Sequence, residues 1–192
     1  MTTGTPPART GPGPVGRDEV VAAALAAAAE LFAERGPGAT SIRDIAARSN
    51  VNHGLIYRHF GTKERLVGAV LEYLGTTLTG LLHDGAPADE IEQTVDRHMR
   101  VMARSLLDGY PVGQLQTRFP GVRLLLDQIL PTRADETAAR LAVANTVALQ
   151  LGWRLFEPFL RSAAGLEELT GDQLRDAVGG AVTRILQAGP DG

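Results

Sequence analysis

The chain has 192 residues, of which 44% are hydrophobic and 21% charged, and it contains no cysteine. The length is sufficient to bury a core, and the lack of cysteine excludes disulfides, thiolate metal sites and a cysteine nucleophile. The formal net charge is −3, yet residues 1–65 carry eight Lys and Arg against six Asp and Glu, so a mildly basic N-terminal part precedes an acidic remainder. No signal peptide and no apolar run approaching a membrane span is evident, which predicts a cytoplasmic protein without membrane contact.

Residues 1–16 are rich in Pro, Gly and Thr and offer almost nothing apolar to bury, which predicts a disordered tail. Arg9 in this region and Arg17 directly after it either touch DNA or lie in solvent, and the sequence leaves both options open. An alanine-rich stretch then predicts a first helix from Arg17 to Arg35, which Gly36-Pro37-Gly38 ends.

Residues 40–63, TSIRDIAARSNVNHGLIYRHFGTK, predict two short helices joined by a tight turn. Ser41 followed three residues later by Asp44 is typical of a capped helix start. Asn50 tolerates the left-handed conformation that a sharp turn requires, and Asn52 is a favourable cap for the second helix. The segment therefore predicts a helix-turn-helix.

The second of these helices places Ile56 and Phe60 on one apolar face and leaves polar, basic and aromatic side chains outward, which suits the DNA major groove. The run Tyr57-Arg58-His59-Phe60, with Lys63 after it and Ile45-Ala46 and Val51-Asn52-His53-Gly54 before it, resembles the DNA-binding signature of TetR-family transcriptional regulators. The resemblance extends over residues 20–74. It implies an all-α fold, with an N-terminal three-helix DNA-binding domain (residues 17–64) and a larger helical ligand-binding and dimerisation domain (residues 65–188).

Nine residues are expected to contact DNA: Arg43, Asn52, His53, Gly54, Leu55, Tyr57, Arg58, His59 and Lys63. Among them His53 and Leu55 are expected to touch bases, because they lie near the start of the second helix. Phosphate contacts are expected from the donors of Tyr57, His59 and Lys63, and Gly54 permits close approach.

Thr62 is predicted to cap a helix that continues towards Leu82 and links the basic head to the rest of the chain. This helix acts either as a lever that moves the DNA-binding helices or as a plain scaffold. A further helix is predicted from Asp89 to about Leu107. The isolated His98 on it lacks partners at metal-ligand or catalytic spacing, so a helix-surface or pocket-edge position is expected.

Pro and Gly punctuate the segment that follows, where Phe119-Pro120-Gly121 predicts a turn. A capping box of Thr132 and Asp135 is predicted to open the longest helix, at 134–164, with Pro158 kinking it or ending it early. A second box, Thr170 with Gln173, opens the last helix. The broad apolar stripes and small residues of these two helices predict a homodimer.

The ligand-pocket candidates are Met99, Met102, Tyr110, Trp153, Arg154 and Phe156. Methionine side chains adapt to irregular ligands but equally fill cores, and Trp153 with Arg154 fits either a pocket or a core and its rim. No catalytic residue, metal site or cofactor is predicted.

The functional prediction is a sequence-specific regulator that binds double-stranded operator DNA, most often a repressor, released from a palindromic operator by a small apolar or amphipathic ligand. Two other classes compete with it. An architectural DNA binder would bury its apolar stripes fully and leave no cavity. An enzyme in a helical bundle is disfavoured because the sequence has one lysine and no Glu-x-x-His pair.

Overall fold

The computed structural model describes residues 16–187, and every regular element within that range is helical. Nine α-helices and one short 3-10 turn, Leu130–Thr132, follow one another along these residues. The α-helices are α1 Arg17–Arg35, α2 Ile42–Ser49, α3 His53–Phe60, α4 Lys63–His83, α5 Ala88–Leu107, α6 Val112–Leu115, α7 Pro120–Ile129, α8 Glu136–Ala164 and α9 Gly171–Gln187. The predicted all-α fold is confirmed, whereas the predicted tail, apart from Gly16, lies outside the described residues.

Helices α1 to α4 form the N-terminal head around one apolar core. Phe32 of α1, Ile45 of α2 and Ile56 of α3 are completely buried there, as is Leu66 of α4. The same cluster includes Val101 of α5 and Val112 of α6, which lie beyond the expected domain boundary. The head and the start of the C-terminal part therefore share a continuous core, so movement of α4, α5 or α6 is felt directly by the head.

Helix α4 is long and apolar enough to cross a membrane by length and composition alone, with a mean hydropathy of 1.2. The prediction that no uninterrupted apolar run approaches a membrane span is unaffected, because Glu72 lies in the middle of this helix, and the high hydropathy has another cause. The packing of α4 supplies it, because Val67, Val70, Leu71 and Leu74 are almost fully buried among the other helices. An apolar helix of this kind is what a central core helix requires.

The C-terminal part is built by α5, α7, α8 and α9 packed beside α4. A small second core joins Ile129, Ala139 and Val143, with Leu186 of α9 packed against it. Phe156 leaves the helical conformation, with φ −118° and ψ 15°, two residues before Pro158. The predicted kink is thus confirmed, since a proline ring clashes with the preceding turn and removes its hydrogen bond.

Two predicted boundaries are wrong. Asp135 alone caps α8, because its Oδ1 accepts from the backbone N–H of Thr137 at 2.8 Å and of Ala138 at 3.2 Å. Thr132 instead donates its hydroxyl to the Ile129 carbonyl at 2.8 Å within the 3-10 turn. Pro120 does not form a turn but begins α7, a position that suits proline because its fixed φ is helical and its missing N–H is not needed there.

Candidate nucleic-acid interface and ligand pocket

The start of α2 is fixed by a reciprocal pair of hydrogen bonds. The Asp44 N–H donates to Ser41 Oγ at 3.1 Å, and the Ser41 N–H donates to Asp44 Oδ2 at 2.8 Å. The Asp44 carboxylate accepts both this Ser41 N–H and the Ser41 hydroxyl at 2.9 Å, and these two bonds, with weaker help from the Arg35 guanidinium at 3.1 Å, lower its pKa. The predicted capping box is confirmed, and the ion pair between Asp44 and Arg35 joins the start of α2 to the end of α1.

The turn between α2 and α3 depends on a left-handed residue. Asn50 has φ 52° and ψ 30°, and it is the non-glycine residue with a positive φ within residues 16–187. Asparagine adopts this conformation more readily than other side chains. The buried Val51 then fills the corner, and its N–H donates to the Ala46 carbonyl at 3.2 Å. Asn50 therefore sets the angle between the two helices as predicted.

Helix α3 presents one side to the core and the other to solvent. Asn52 caps it by accepting the Gly54 N–H at 2.8 Å, while Ile56 is completely buried. His53, Gly54 and Arg58 are exposed, and Tyr57 is 67% exposed. An aromatic side chain so open to water on a capped, basic helix is what a groove-binding surface requires.

Three of the expected DNA residues are less open than the others. Leu55 is half-buried and packs against the head core, and His59 is half-buried as well. Lys63 is half-buried at the first turn of α4, where Thr62 caps the helix by accepting the Arg65 N–H at 3.3 Å. All three belong to α3 or to the first turn of α4, and only part of each side chain is available to a partner.

The charged residues near this surface differ in whether they already have a partner within the head. Arg48 binds Glu30 at 2.9 Å and Glu34 at 3.1 Å, so its charge is largely neutralised within the head. Arg43, one of the expected DNA residues, is exposed on α2 and has no ion-pair partner within residues 16–187. The carboxyl of Glu64, which sequence reasoning passed over, accepts hydrogen bonds at the start of α4 that lower its pKa.

An apolar cavity of about 190 Å³ lies between α4, α5, α7 and α8. Met99 and Met102 line it as expected candidates, and the buried His98 and Gln116 line it too. Burial lowers the pKa of His98 to about 4, and neither ring nitrogen has a hydrogen-bond partner. The predicted position at a pocket is confirmed, whereas the predicted helix-surface alternative is wrong, because helices far apart in the sequence surround His98 and bury it.

The remaining ligand candidates do not line this cavity. Trp153 and Arg154 line a second cleft of about 450 Å³ between α5, α8 and α9, whose lining is partly polar and partly apolar. There the Arg154 guanidinium binds Glu92 at 2.9 Å and lies 3.7 Å from Asp96. Tyr110 packs against the head core. Phe156 is 53% exposed on α8 and lines neither space. The predicted set is therefore divided among four environments.

A contact that sequence reasoning missed ties α4 to the segment before α7. One carboxylate oxygen of Glu72 accepts the Thr117 N–H, the Thr117 hydroxyl at 2.8 Å and the Arg118 N–H at 3.1 Å. Burial opposes ionisation of Glu72, but these hydrogen bonds outweigh it and lower its pKa. Because the segment continues into Phe119 and Pro120, which line the apolar cavity, Glu72 joins the cavity wall to α4.

Residues 24–70 match the sequence profile of a family described as bacterial regulatory proteins, tetR family. The HTH-type transcriptional repressor Rv3405c of Mycobacterium tuberculosis is 68% identical over 174 residues, which cover 91% of this chain and 93% of that protein. The HTH-type transcriptional regulator Mb3439c of Mycobacterium bovis matches to the same extent. A solved gamma-butyrolactone receptor, an ArpA-like protein, aligns with 89% of this chain and 98% of its own at 21% identity and a TM-score of 0.48, too distant to carry an argument.

The match over nearly the full length of these relatives agrees with the capped helix-turn-helix and its exposed basic face. The chain belongs to the TetR family of bacterial transcriptional regulators, which are DNA-binding proteins and not enzymes.

Proposed function

We propose that this regulator is a homodimeric repressor that binds a palindromic operator and releases it when a small apolar or amphipathic compound enters its C-terminal part. The observation that carries the proposal is the connection between two helices. The exposed α3, which is the proposed recognition helix, is joined through only Gly61 and Thr62 to α4, and α4 lines an apolar cavity. The repressor named above, 68% identical over 91% of the chain, supports the sign of regulation. We expect the protein to be cytoplasmic, because the operator DNA of such a repressor lies in the cytoplasm.

In the proposed complex α3 lies in the major groove. His53, at the N-terminal end of α3, reaches a base edge, and Gly54 lets the backbone come close. The half-buried Leu55 adds an apolar contact through its exposed atoms. Tyr57 and Arg58 donate to phosphates from the exposed face, as do Arg43, His59 and Lys63 from its margins, while Asn52 holds the helix start.

The proposed dimer forms through α8 and α9. On α8 the large apolar side chains of Leu141, Phe156 and Phe159 are 57%, 53% and 68% exposed in the single chain. Small residues, Ala144 and Ala148, are exposed between them and permit close approach of a second helix. A second copy of the chain would bury this stripe in a four-helix arrangement and hold two recognition helices about one DNA turn apart.

The proposed release mechanism uses the contacts between the cavity wall and α4. A Cβ added at Gly68 would lie 2.2 Å from the Leu115 carbonyl oxygen, and one added at Gly75 would lie 3.2 Å from Pro120 Cδ. The segment from Leu115 to Pro120 thus packs directly against the backbone of α4, and Glu72 binds it between these two points. A compound that displaces this segment moves α4 with it.

A second connection runs through α5. Asp108 Oδ2, just after the C-terminal end of α5, accepts the Gly38 N–H at 2.6 Å, and Gly38 lies in the turn that leads to α2. Since Met99 and Met102 of α5 line the cavity, the head is joined to the cavity by two helices. For release, the compound must bind the DNA-free arrangement more tightly than the DNA-bound one, because equal affinity shifts nothing.

The test is selection of bound sequences from a random DNA duplex library by wild type and variants. We expect His53→Ala to alter the base preferred at one operator position, because a base contact is lost. We expect Tyr57→Ala to weaken all sequences similarly, because a phosphate contact carries no sequence information. His83→Ala, which removes an exposed histidine at the end of α4 opposite to α3, serves as the matched control. An unchanged His53→Ala profile, or an altered Tyr57→Ala profile, would contradict these roles.

The alternative function is an architectural DNA binder without a sensor. The apolar cavity beside α4 favours the sensor, because an architectural protein has no need of an unfilled apolar space of about 190 Å³ between its helices. Equal, salt-labile binding to all duplexes and no release by any cavity ligand would favour the architectural protein instead.

A further inference from the structure

His98 is a polar group in an otherwise apolar place. Its side chain is 93% buried, since only 7% of its surface is exposed, and both ring nitrogens lack a hydrogen-bond partner among the described residues. A buried polar group without a partner is costly and requires an explanation, and a molecule that binds at the group and supplies the missing hydrogen bond is one such explanation. The imidazole lies in the wall of the cavity between α4, α5, α7 and α8.

The walls of this cavity set the character of a ligand. Thirteen of the sixteen lining residues are apolar or glycine, and the three polar ones are His98, Gln116 and Gln150. Gln116 already donates its side-chain amide to the Val112 carbonyl at 3.3 Å. No lining residue carries a formal charge at neutral pH. A charged ligand would therefore lose its hydration without gaining an ionic partner, whereas a neutral apolar body fits.

The volume limits the size of that body. An apolar cavity of about 150 Å³ in another protein stays dry and accepts benzene. The cavity here, about 190 Å³, therefore accommodates a single six-membered ring with one or two small substituents. Met99 and Met102 give the wall some capacity to adapt.

The protonation state of His98 selects the polar group. Burial lowers its pKa to about 4, so at neutral pH the ring is uncharged and offers one N–H donor and one nitrogen acceptor. A hydroxyl is the smallest neutral group that can both donate to and accept from such a ring. A methyl group in its place leaves the imidazole unpartnered, and a carboxylate adds an unpaired charge.

We propose that the effector pocket takes a small, neutral, mostly apolar compound carrying one hydroxyl group, and that His98 is the residue that recognises this hydroxyl. The inference rests on the proposed function, since it names the chemistry of the ligand that would release DNA. His98 is also placed to report occupancy, because a Cβ added at Gly75 of α4 would lie 3.4 Å from its Cε1.

The experiment is a calorimetric titration of the full chain, without DNA, with three compounds of one shape: 4-methylphenol, p-xylene and 4-methylbenzoate. We expect wild type to bind 4-methylphenol about tenfold or more tightly than p-xylene, the preference that one buried hydrogen bond gives, and to bind 4-methylbenzoate more weakly than 4-methylphenol. In His98→Leu this preference for the hydroxyl disappears. His98→Gln, which retains a donor and an acceptor, keeps part of it.

His83→Leu is the matched control, because His83 is exposed and does not line the cavity, so it keeps the wild-type preference. Equal or tighter binding of p-xylene, preference for the benzoate, or no binding of any compound by wild type would overturn the inference, and none of these outcomes needs a folded His98 variant. A second titration adds operator DNA. Binding of 4-methylphenol without release of DNA would leave the recognition by His98 standing and refute the proposed release.

Discussion

Gly68→Ala and Gly80→Ala are the same chemical change at two positions of α4, and the structure predicts opposite effects on stability. At Gly68 the new Cβ would lie 2.2 Å from the Leu115 carbonyl oxygen and 2.8 Å from its carbonyl carbon. These are backbone atoms that cannot rotate away, so α6 must move by roughly 1 Å to reach an ordinary carbon–oxygen separation of about 3.3 Å. At Gly80 nothing lies within 4 Å.

The magnitudes follow from two opposing terms. Alanine gains about 1 kcal/mol over glycine inside a helix, while overpacking a filled site costs about 1–3 kcal/mol. Because the Gly68 clash involves the backbone, we expect the upper part of that range and a net destabilisation of about 1–2 kcal/mol. Gly80→Ala keeps only the favourable term and is stabilising by about 0.5–1 kcal/mol.

The assay is thermal and urea unfolding of both variants and wild type, followed by circular dichroism at one protein concentration, because the apparent stability of the proposed dimer would depend on concentration. The two variants should differ by roughly 1.5–3 kcal/mol, or about 3–12 °C in Tm for a chain of this size. Gly68→Ala should also change operator affinity, since it moves the segment bound to α4, whereas Gly80→Ala should not. Equal stabilisation by both substitutions would refute the close α4–α6 contact.

The other predictions concern His98, the cations of α2 and the cap of α3. The pKa of His98 is about 4 in the folded chain and 6.5 in its ordinary range, so between these values the unfolded chain binds one more proton than the folded chain. The free energy of unfolding of wild type should therefore fall by roughly 2 kcal/mol from pH 7 to pH 5. Urea unfolding of His98→Leu should lack this part of the loss, and the same pH dependence as wild type would contradict the prediction. Arg43→Ala should weaken DNA binding and lower its salt dependence. Arg48→Ala should do neither, because the Arg48 guanidinium already binds two glutamates. Equal losses of DNA affinity by the two variants in a filter-binding assay would contradict this difference between the two arginines. Asn52→Ala removes the cap that accepts the Gly54 N–H and should destabilise the head by about 1 kcal/mol in urea unfolding, with Asn52→Asp near wild type as its control.

The helix-turn-helix was predictable from sequence because each of its determinants acts on near neighbours. Ser41 and Asp44 bond across three residues, Asn50 acts on its own backbone, and Asn52 caps a group two residues away. Such signals are present in any short window of the sequence. The same holds for Thr170 with Gln173, whose predicted box is confirmed by bonds of 2.9 Å and 3.2 Å.

The boundary errors arose where two local rules competed. Phe119-Pro120-Gly121 contains the residues of a turn, yet proline also suits the first position of a helix, and α7 begins there. Thr132 and Asp135 have capping-box spacing, but the box would need Thr132 outside any helix, and the 3-10 turn already uses its hydroxyl. Only the path of the surrounding chain decides between such options.

The cavity and its connections to α4 could not be predicted, because they join residues far apart in sequence. Glu72 binds Thr117 across 45 residues, and Asp108 binds Gly38 across 70. His98 is an ordinary helical residue in the sequence and becomes an unpartnered buried group only when four helices surround it. No periodicity along α5 distinguishes a methionine that lines a cavity from one that fills a core.

The most direct test of a sequence-specific regulator is fluorescence anisotropy of the purified protein on the DNA immediately upstream of its own gene. A scrambled duplex of equal base composition is titrated in parallel, at low and at physiological salt. We expect tight binding of the native duplex that persists at physiological salt, because base contacts from α3 add to the salt-sensitive phosphate contacts. Binding of the scrambled duplex should be lost at physiological salt. Equal binding of both duplexes that disappears together with rising salt would contradict the sequence-specific contacts proposed for α3.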